Sequence, residues 1–156
     1  MRKILLLIVL LPLVLSFRYN DSRLGGHEFF KLEGESIVAD EIINGSEKTV
    51  LFFWTSWCYF CRRELKKINR YPPNADDVKF YYVNLGETPK IADYVVEKLK
   101  LKDFIADNIV LDKESVFVKE FNIIGLPTYV FLKEGRAVYR TNLINQQIIE
   151  RVFSDE

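Results

Sequence analysis

The sequence predicts an α/β domain whose central sheet is mixed, mostly parallel, and covered by helices on both faces. Strand-like apolar runs alternate with helical patterns along most of the chain, which is typical of parallel strands joined by covering helices. Residues 49–54 are continuously apolar after the threonine, as expected for a central strand covered on both faces. Residues 128–133 and 136–141 flank Glu134-Gly135 and predict a closing antiparallel hairpin.

The first elements follow from short local patterns. Residues 28–40 hold two apolar runs around Gly34, which predict an N-terminal β-hairpin, and residues 40–45 predict one helical turn. After the central strand, a helix is expected to begin near Cys58 and to end at residues 71–74, which include two prolines. Its buried stripe has helical spacing and consists of Cys61, Leu65 and Ile68.

A further strand and helix are predicted next, over residues 78–83 and from Thr88 onward. The strand is β-branched and aromatic. Thr88-Pro89 has the pattern of a helix N-cap followed by proline at the first helical position. The apolar face of this helix is expected to be formed by Ile91, Tyr94, Val95 and Leu99.

The last strand–helix steps are predicted from capping residues. Residues 109–111 form a short apolar run, and Asp112 can cap a short helix that ends at Phe121. Asn145 can cap a final helix, whose apolar residues are Ile148, Ile149, Val152 and Phe153.

Length and composition fit one domain. The chain has 156 residues, of which 49% are apolar, and a formal net charge of zero. A domain of this size buries roughly 70% of its unfolded surface, so it needs no disulfide to fold. The balanced charge argues against a nucleic-acid partner. Residues 28–156 are predicted to form the domain, and residues 17–27 a flexible arm that contains the single histidine, His27, as a solvated residue rather than a metal ligand.

The N-terminus predicts export. Arg2-Lys3 is followed by residues 4–15, which are apolar apart from one proline, and this is the pattern of a signal peptide. Residues 1–16 are therefore a cleaved signal peptide or a retained anchor; if uncleaved, residues 4–17 provide the membrane contact. In both cases the domain is expected in the periplasm or on the outer face of the membrane, where disulfides form and persist.

The two cysteines, Cys58 and Cys61, are the whole cysteine content of the chain. At a helix N-terminus, unpaired N–H groups and the helix dipole favour the thiolate of the first cysteine. We therefore assign Cys58 as the nucleophile that attacks a partner disulfide and Cys61 as the thiol that resolves the mixed disulfide. Since this pair carries the electrons itself, no other cofactor is predicted.

Pro127 supplies a second, distant feature. It follows Leu126 at the start of the closing hairpin. A cis Leu126–Pro127 bond opposite the helix start would leave the Leu126 backbone free to pair with an extended substrate. The alternative is a strand that merely begins at proline.

Residues 53–64 (Phe-Trp-Thr-Ser-Trp-Cys-x-x-Cys-Arg-Arg-Glu) resemble the thioredoxin superfamily and, more narrowly, the TlpA/ResA-like extracytoplasmic thiol–disulfide oxidoreductases. The resemblance runs from about Phe29 to the end and includes residues 84–89 and the proline loop at residues 125–128. It implies a thioredoxin fold with an inserted strand–helix unit and a cis bond at Pro127.

The resemblance also implies a role for Glu64, three residues after the second cysteine. A carboxylate there would raise the pKa of the thiols or relay a proton. The alternative is an exposed helix glutamate beside two arginines. The chain differs from thioredoxins at Phe52, where they carry a buried aspartate.

An apolar rim is expected around the cysteines, because Tyr59 and Phe60 separate them and Trp57 precedes them. Such a rim suits the docking of a protein partner, although Phe60 could instead pack on Trp57 or on the proline loop. The predicted substrate-binding residues are Trp57, Tyr59, Phe60, Leu126 and Pro127.

The leading hypothesis is an exported thiol–disulfide oxidoreductase acting on disulfide- or thiol-bearing proteins. The resemblance favours a reductant, in cytochrome c maturation or the protection of extracytoplasmic thiols, which needs a membrane electron donor. The alternatives are an oxidant of folding proteins, a non-catalytic thioredoxin-like interaction module, and a copper or zinc handler. For the last, two thiolates are an incomplete ligand set.

Overall fold

A seven-stranded mixed β-sheet organises the chain in the computed structural model, which describes Leu24 and residues 26–154. The strands are β1 (Glu28–Lys31), β2 (Ser36–Val38), β3 (Lys48–Trp54), β4 (Lys79–Leu85), β5 (Ile109–Asp112), β6 (Thr128–Lys133) and β7 (Arg136–Thr141). The helices are α1 (Ala39–Asn44), α2 (Tyr59–Arg70), α3 (Pro89–Leu99), α4 (Asp103–Ala106), α5 (Val116–Glu120) and α6 (Gln146–Phe153). Across the sheet, the strand order is β2-β1-β5-β4-β3-β6-β7.

The mixed sheet and both hairpins were predicted and are confirmed, but the parallel part is smaller than expected. Only β3, β4 and β5 run parallel to one another. The N-terminal hairpin adds β1 antiparallel to β5, and the closing hairpin adds β6 antiparallel to β3. Strand β6 lies inside the sheet, between β3 and β7, and is therefore almost wholly buried. Of that hairpin, only β7 forms the edge of the sheet.

Side chains of β3 alternate between two apolar layers, because successive residues of a strand point to opposite faces of a sheet. Val50, Phe52 and Trp54 lie in a layer that also contains the cysteine pair and buried residues of α2, α3, α4 and α6; we call it the cysteine layer. Leu51 and Phe53 lie in a layer covered by α1 and α5, which we call the phenylalanine layer. The prediction of helices on both faces is confirmed.

Helix α2 buries the whole of its predicted stripe, whereas α3 buries only part of its predicted face. The buried residues of α3 are Ala92 and Val95, while Ile91 and Tyr94, predicted to face the core, are exposed. Val95 is buried and Leu99 packs against the cysteine layer. The predicted apolar face of α3 is therefore right for these two residues and wrong for Ile91 and Tyr94, because Ala92 takes a buried position instead.

The hydrogen bonds predicted to cap helices α5 and α6 are present. Both carboxylate oxygens of Asp112 accept hydrogen bonds from α5, at 2.8 Å from Val116 N–H and 2.9 Å from Phe117 N–H. Asn145 Oδ1 accepts a hydrogen bond from Ile148 N–H at 2.9 Å. Helix α4, a single turn, was not predicted.

The predicted arm, residues 17–27, is too long at its C-terminal end. Leu24 is buried in the phenylalanine layer. The ring of His27 lies 4.8 Å from that of Phe29, and the His27 carbonyl accepts a hydrogen bond from Ala39 N–H. His27 is therefore held on the domain rather than solvated in an arm, because backbone and ring contacts fix it beside the first hairpin.

The remaining N-terminal predictions, the signal or anchor and most of the arm, lie outside the described residues. None of the helices in the described part of the chain combines the length and the apolar character needed to cross a bilayer.

Candidate active site

Two segments that are far apart in sequence meet at one end of β3. The cysteine motif follows this strand, and antiparallel pairing with β6 sets Thr128 opposite Phe53. The proline loop that precedes β6 therefore lies beside the motif. Leu126 packs against the cysteine layer. The register of β3 with β6, and not sequence proximity, brings the two halves of the site together.

Cys58 and Cys61 form a disulfide at the start of α2. Cys58 is the N-cap residue of the helix, and its Sγ accepts a hydrogen bond from Cys61 N–H at 3.1 Å. Cys58 is 6% exposed and Cys61 is fully buried, so Cys58 is the more exposed of the two. The N–H group and the positive end of the helix dipole favour negative charge on the Cys58 sulfur once the pair is reduced.

Large apolar side chains surround the opening at Cys58. Trp57 is 74% exposed, and Tyr59 and Phe60 are also exposed. Phe60 makes its ring contact with Tyr59, at 5.5 Å between centroids, rather than with Trp57. Clustered exposed apolar residues of this kind mark a surface for an interaction partner.

The Leu126–Pro127 peptide bond is cis. Thr128 Oγ1 donates a hydrogen bond to the Gly125 carbonyl at 2.7 Å, which closes the loop on itself. Among the described residues, nothing forms a hydrogen bond with the backbone N–H or carbonyl of Leu126. Both groups are thus unpaired within the described part of the chain.

A groove of about 950 Å³ runs along this loop. One wall is the outer surface of α2, including Phe60 and Glu64. The other wall is formed by residues 124–128 and by residues 140–142 at the end of β7. Four of the predicted site residues, Phe60, Glu64, Leu126 and Pro127, therefore line one surface.

Glu64 is fixed inside this groove instead of being an exposed glutamate beside arginines. Its Oε2 accepts a hydrogen bond from Tyr129 Oη at 3.0 Å, and Lys67 Nζ lies 3.5 Å from the same oxygen. Burial, and then the negative charge of Glu64, raise the pKa of Tyr129 well above its ordinary value, so Tyr129 stays a neutral donor. The Tyr129 ring lies 4.6 Å from Phe52, the residue at the position of the thioredoxin aspartate.

Sequence analysis missed a group of polar contacts behind the motif, which we call the Ser56 clamp: Ser56, Arg62, Asn84 and Glu87. Glu87 accepts hydrogen bonds from Ser56 N–H at 2.8 Å, Ser56 Oγ at 2.5 Å and Asn84 Nδ2 at 2.7 Å. Arg62 donates to the Ser56 carbonyl. The clamp holds the residues just before the cysteines from both sides. One feature of the sequence could have indicated these contacts: Asn84 is a polar residue at the buried end of an apolar strand.

The arrangement provides the parts that thiol–disulfide exchange needs: a more exposed cysteine, a buried second cysteine and an unpaired backbone for the partner. Within the described residues, no group of three or more His, Cys, Asp or Glu side chains could hold a metal ion.

The comparisons with known proteins point in the same direction. A family model described as a thioredoxin-like domain matches residues 38–154. Sporulation thiol-disulfide oxidoreductase A of Bacillus subtilis (strain 168) is 35% identical over 119 residues, which are 72% of this chain and 67% of that protein.

Two further matches agree with these. Thiol-disulfide oxidoreductase ResA of Geobacillus kaustophilus (strain HTA426) is 30% identical over 105 residues, covering 65% of this chain and 58% of that protein. The crystal structure of StoA from Bacillus subtilis superposes with a TM-score of 0.65 and 29% identity, covering 81% of this chain and 95% of that chain. The resemblance inferred from the motif is thereby confirmed.

Proposed function

Since the chain belongs to the thioredoxin-like domain family and is a thiol–disulfide oxidoreductase, we propose that it reduces disulfide bonds of proteins outside the cytoplasm. Cytochrome c maturation and the protection of extracytoplasmic thiols are the two settings in which such a reductant acts. The reductive direction rests on the resemblance of residues 53–64 to TlpA/ResA-like proteins, and the observation that carries the exchange chemistry is the hydrogen bond from Cys61 N–H to Cys58 Sγ. It supports Cys58 as the thiolate that starts the exchange.

In the proposed reaction, the Cys58 thiolate attacks one sulfur of a partner disulfide. The partner S–S bond breaks, a bond forms between Cys58 and the partner, and the released partner thiolate takes a proton from solvent. The Cys61 sulfur, after losing its proton, then attacks Cys58 Sγ. This step closes the Cys58–Cys61 disulfide and releases the second partner sulfur, which is also protonated. Two electrons have passed to the partner, and a dithiol protein of the membrane restores the reduced pair.

Other predicted site residues have supporting roles in this proposal. Trp57, Tyr59 and Phe60 form an apolar docking rim, and the Leu126 backbone pairs with an extended partner segment at Pro127. Glu64, one turn beyond Cys61 on α2, tunes the thiols or relays the Cys61 proton. Its fixed position between Tyr129 and Lys67 supports this role.

Action outside the cytoplasm is supported by the N-terminal sequence. Arg2-Lys3 and the following apolar stretch have the pattern of an export signal. The protein is released if residues 1–16 are removed, and it stays attached through residues 4–17 if they are retained.

The reduction potential of the Cys58–Cys61 pair tests the proposed direction. The protein is equilibrated in graded thiol buffers and its free thiols are counted by alkylation. A reductant gives a potential near that of thioredoxin, about −270 mV, whereas a potential near about −120 mV identifies an oxidant of folding proteins. A disulfide that resists reduction under mild conditions identifies a non-catalytic interaction module.

A further inference from the structure

The groove beside the proline loop carries a charge pattern that its thiol chemistry does not require. We propose that this groove selects extended partner segments that carry acidic side chains close to the disulfide, together with an apolar side chain. This inference rests on the proposed function, and it specifies the class of partner.

Cations outnumber carboxylates along the groove. Arg63, Lys67 and Arg140 line it, and Glu64 is the carboxylate among its lining residues in the described part of the chain. The whole chain, in contrast, has equal numbers of basic and acidic residues. The positive charge is therefore local to this surface.

The charge of Lys67 is compensated within the protein. Its Nζ lies 3.5 Å from Glu64 Oε2 and donates a hydrogen bond to the Ile144 carbonyl at 2.8 Å. The two groups form an ion pair, so Lys67 and Glu64 together contribute little net charge to the groove.

The two arginines are not compensated in this way. Arg63 lies over the ring of Tyr59, 5.9 Å from its centroid, and Arg140 donates to the carbonyls of Asn122, at 3.0 Å, and Phe121. Neither guanidinium forms an ion pair with a carboxylate in the region that the structure describes. A guanidinium has five N–H donors in a planar fork that matches a carboxylate, so both arginines keep donors for an acidic side chain.

Both cations are also held in place before a partner arrives. The carbonyls of the loop before Pro127 anchor Arg140, and the ring of Tyr59 supports Arg63. Fixing a binding group in advance lowers the entropy that association costs. The two charges are thus positioned for recognition and are not simply solvated side chains.

The same groove has apolar and backbone features that favour a peptide. Ile124 is 91% exposed and Phe60 is also exposed, and the Leu126 backbone is unpaired within the described residues. An extended segment can pair with Leu126, contact the apolar side chains and bring a carboxylate to Arg63 or Arg140. The occupant is therefore an acidic segment of a disulfide-bearing protein.

The test compares three peptides with the same intramolecular disulfide and the same apolar residue, flanked by two Glu, two Gln or two Lys. The rate constant for their reduction by the dithiol form of the protein is measured at low and high salt. We expect the acidic peptide to react about tenfold faster than the neutral one at low salt, because opposite charges speed association and screening removes the effect. The Lys peptide should be the slowest.

Variants assign the preference to the groove. In the double variant Arg63→Gln/Arg140→Gln, the rate constant for the acidic peptide divided by that for the neutral peptide should fall to about one. The double variant Arg63→Lys/Arg140→Lys should keep this ratio above one, because the positive charges remain. Arg136→Gln, at the other end of the same strand as Arg140 and outside the groove lining, is the matched control and should keep the full ratio.

Three outcomes would overturn the inference. Equal reduction of all three peptides by the wild-type protein, or an unchanged ratio in the Gln double variant, would rule out charge selection while leaving the oxidoreductase function intact. Failure to reduce any of the peptides would instead contradict the proposed function itself, and the inference with it.

Discussion

The two apolar layers of the sheet are formed by the same strands but differ in chemistry. The phenylalanine layer is held by stacked and edge-on rings: the centroid of Phe117 lies 4.4 Å from Phe29, 6.4 Å from Phe53 and 5.7 Å from Phe121. The cysteine layer contains the two sulfurs and two buried tyrosines among both aliphatic and aromatic residues. The comparison shows that both layers are well packed, but that the two sulfurs belong to only one of them.

The buried tyrosines show what the cysteine layer does to titratable groups. Burial raises the pKa of Tyr82 far above its ordinary value, and burial with the nearby Glu64 does the same to Tyr129. A charged group is therefore unfavourable inside this layer. Cys58 lies at the start of α2, where the N–H group of Cys61 binds its sulfur and can offset part of that penalty.

The largest expected effect comes from the sulfurs. Cys58→Ser should abolish disulfide reduction while the protein stays folded, because serine is also a good N-cap residue. Cys61→Ser should accumulate mixed disulfides with partners, because nothing resolves them. Peptide reduction assays and mass spectrometry of the trapped adducts measure both. Activity in Cys58→Ser, with no adduct in Cys61→Ser, would reverse the assigned roles.

A cavity in the phenylalanine layer should instead lower stability. Phe117 is fully buried among three rings, so Phe117→Ala should reduce the free energy of unfolding by about 3–5 kcal/mol. Phe60→Ala, an exposed control on the other face, should change it by less than about 0.5 kcal/mol. Urea unfolding measures both; similar losses in the two variants would show that a buried ring of the phenylalanine layer contributes no more to stability than an exposed ring.

Breaking the Ser56 clamp should lower both the stability of the protein and its rate of disulfide exchange, each by a moderate amount. Glu87→Gln replaces one of the two accepting oxygens by a donor, so a hydrogen bond to Ser56 or Asn84 is lost at a cost of about 1–3 kcal/mol. The displaced motif should exchange disulfides about 10-fold more slowly. Glu97→Gln, on the exposed surface of α3, is the control. An exchange rate equal to wild type in Glu87→Gln would show that the clamp does not position the cysteines.

The smallest effect is a pH dependence at the cap of α5, next to Phe117. Burial raises the pKa of Asp112 above its ordinary value of 3.8, although hydrogen bonds from Val116 and Phe117 oppose the shift. Because the folded state then holds this proton more tightly than the unfolded state, the stabilisation is complete below pH 3.8 and is lost as pH rises through the folded-state pKa.

Urea unfolding of the wild type and Asp112→Asn between pH 3 and pH 7 isolates this contribution. The stability of the wild type relative to the variant should decline as the pH rises. A constant difference, or one that grows with pH, would show that the capping hydrogen bonds outweigh burial.

Much of the fold could be predicted from the chain because its signals are local. The buried run of β3, the hairpins and the caps Asp112 and Asn145 each depend on a few neighbouring residues. Ile91 and Tyr94 were wrongly placed on the buried face of α3, because apolar spacing did not show that Ala92 is buried there. The parallel share of the sheet was overestimated because the pattern of β6 does not reveal its neighbour.

By itself, the sequence determined the cysteine pair, its place at a helix N-terminus and the kind of chemistry that follows. Those properties arise within one turn of helix. Only the tertiary structure decided that Glu87 holds Ser56, that Tyr129 binds Glu64 and that Arg140 shares a groove with Arg63. Each of these pairs joins residues from separate elements, whose alignment depends on the register of β3 with β4 and β6 and hence on the packing of the whole sheet.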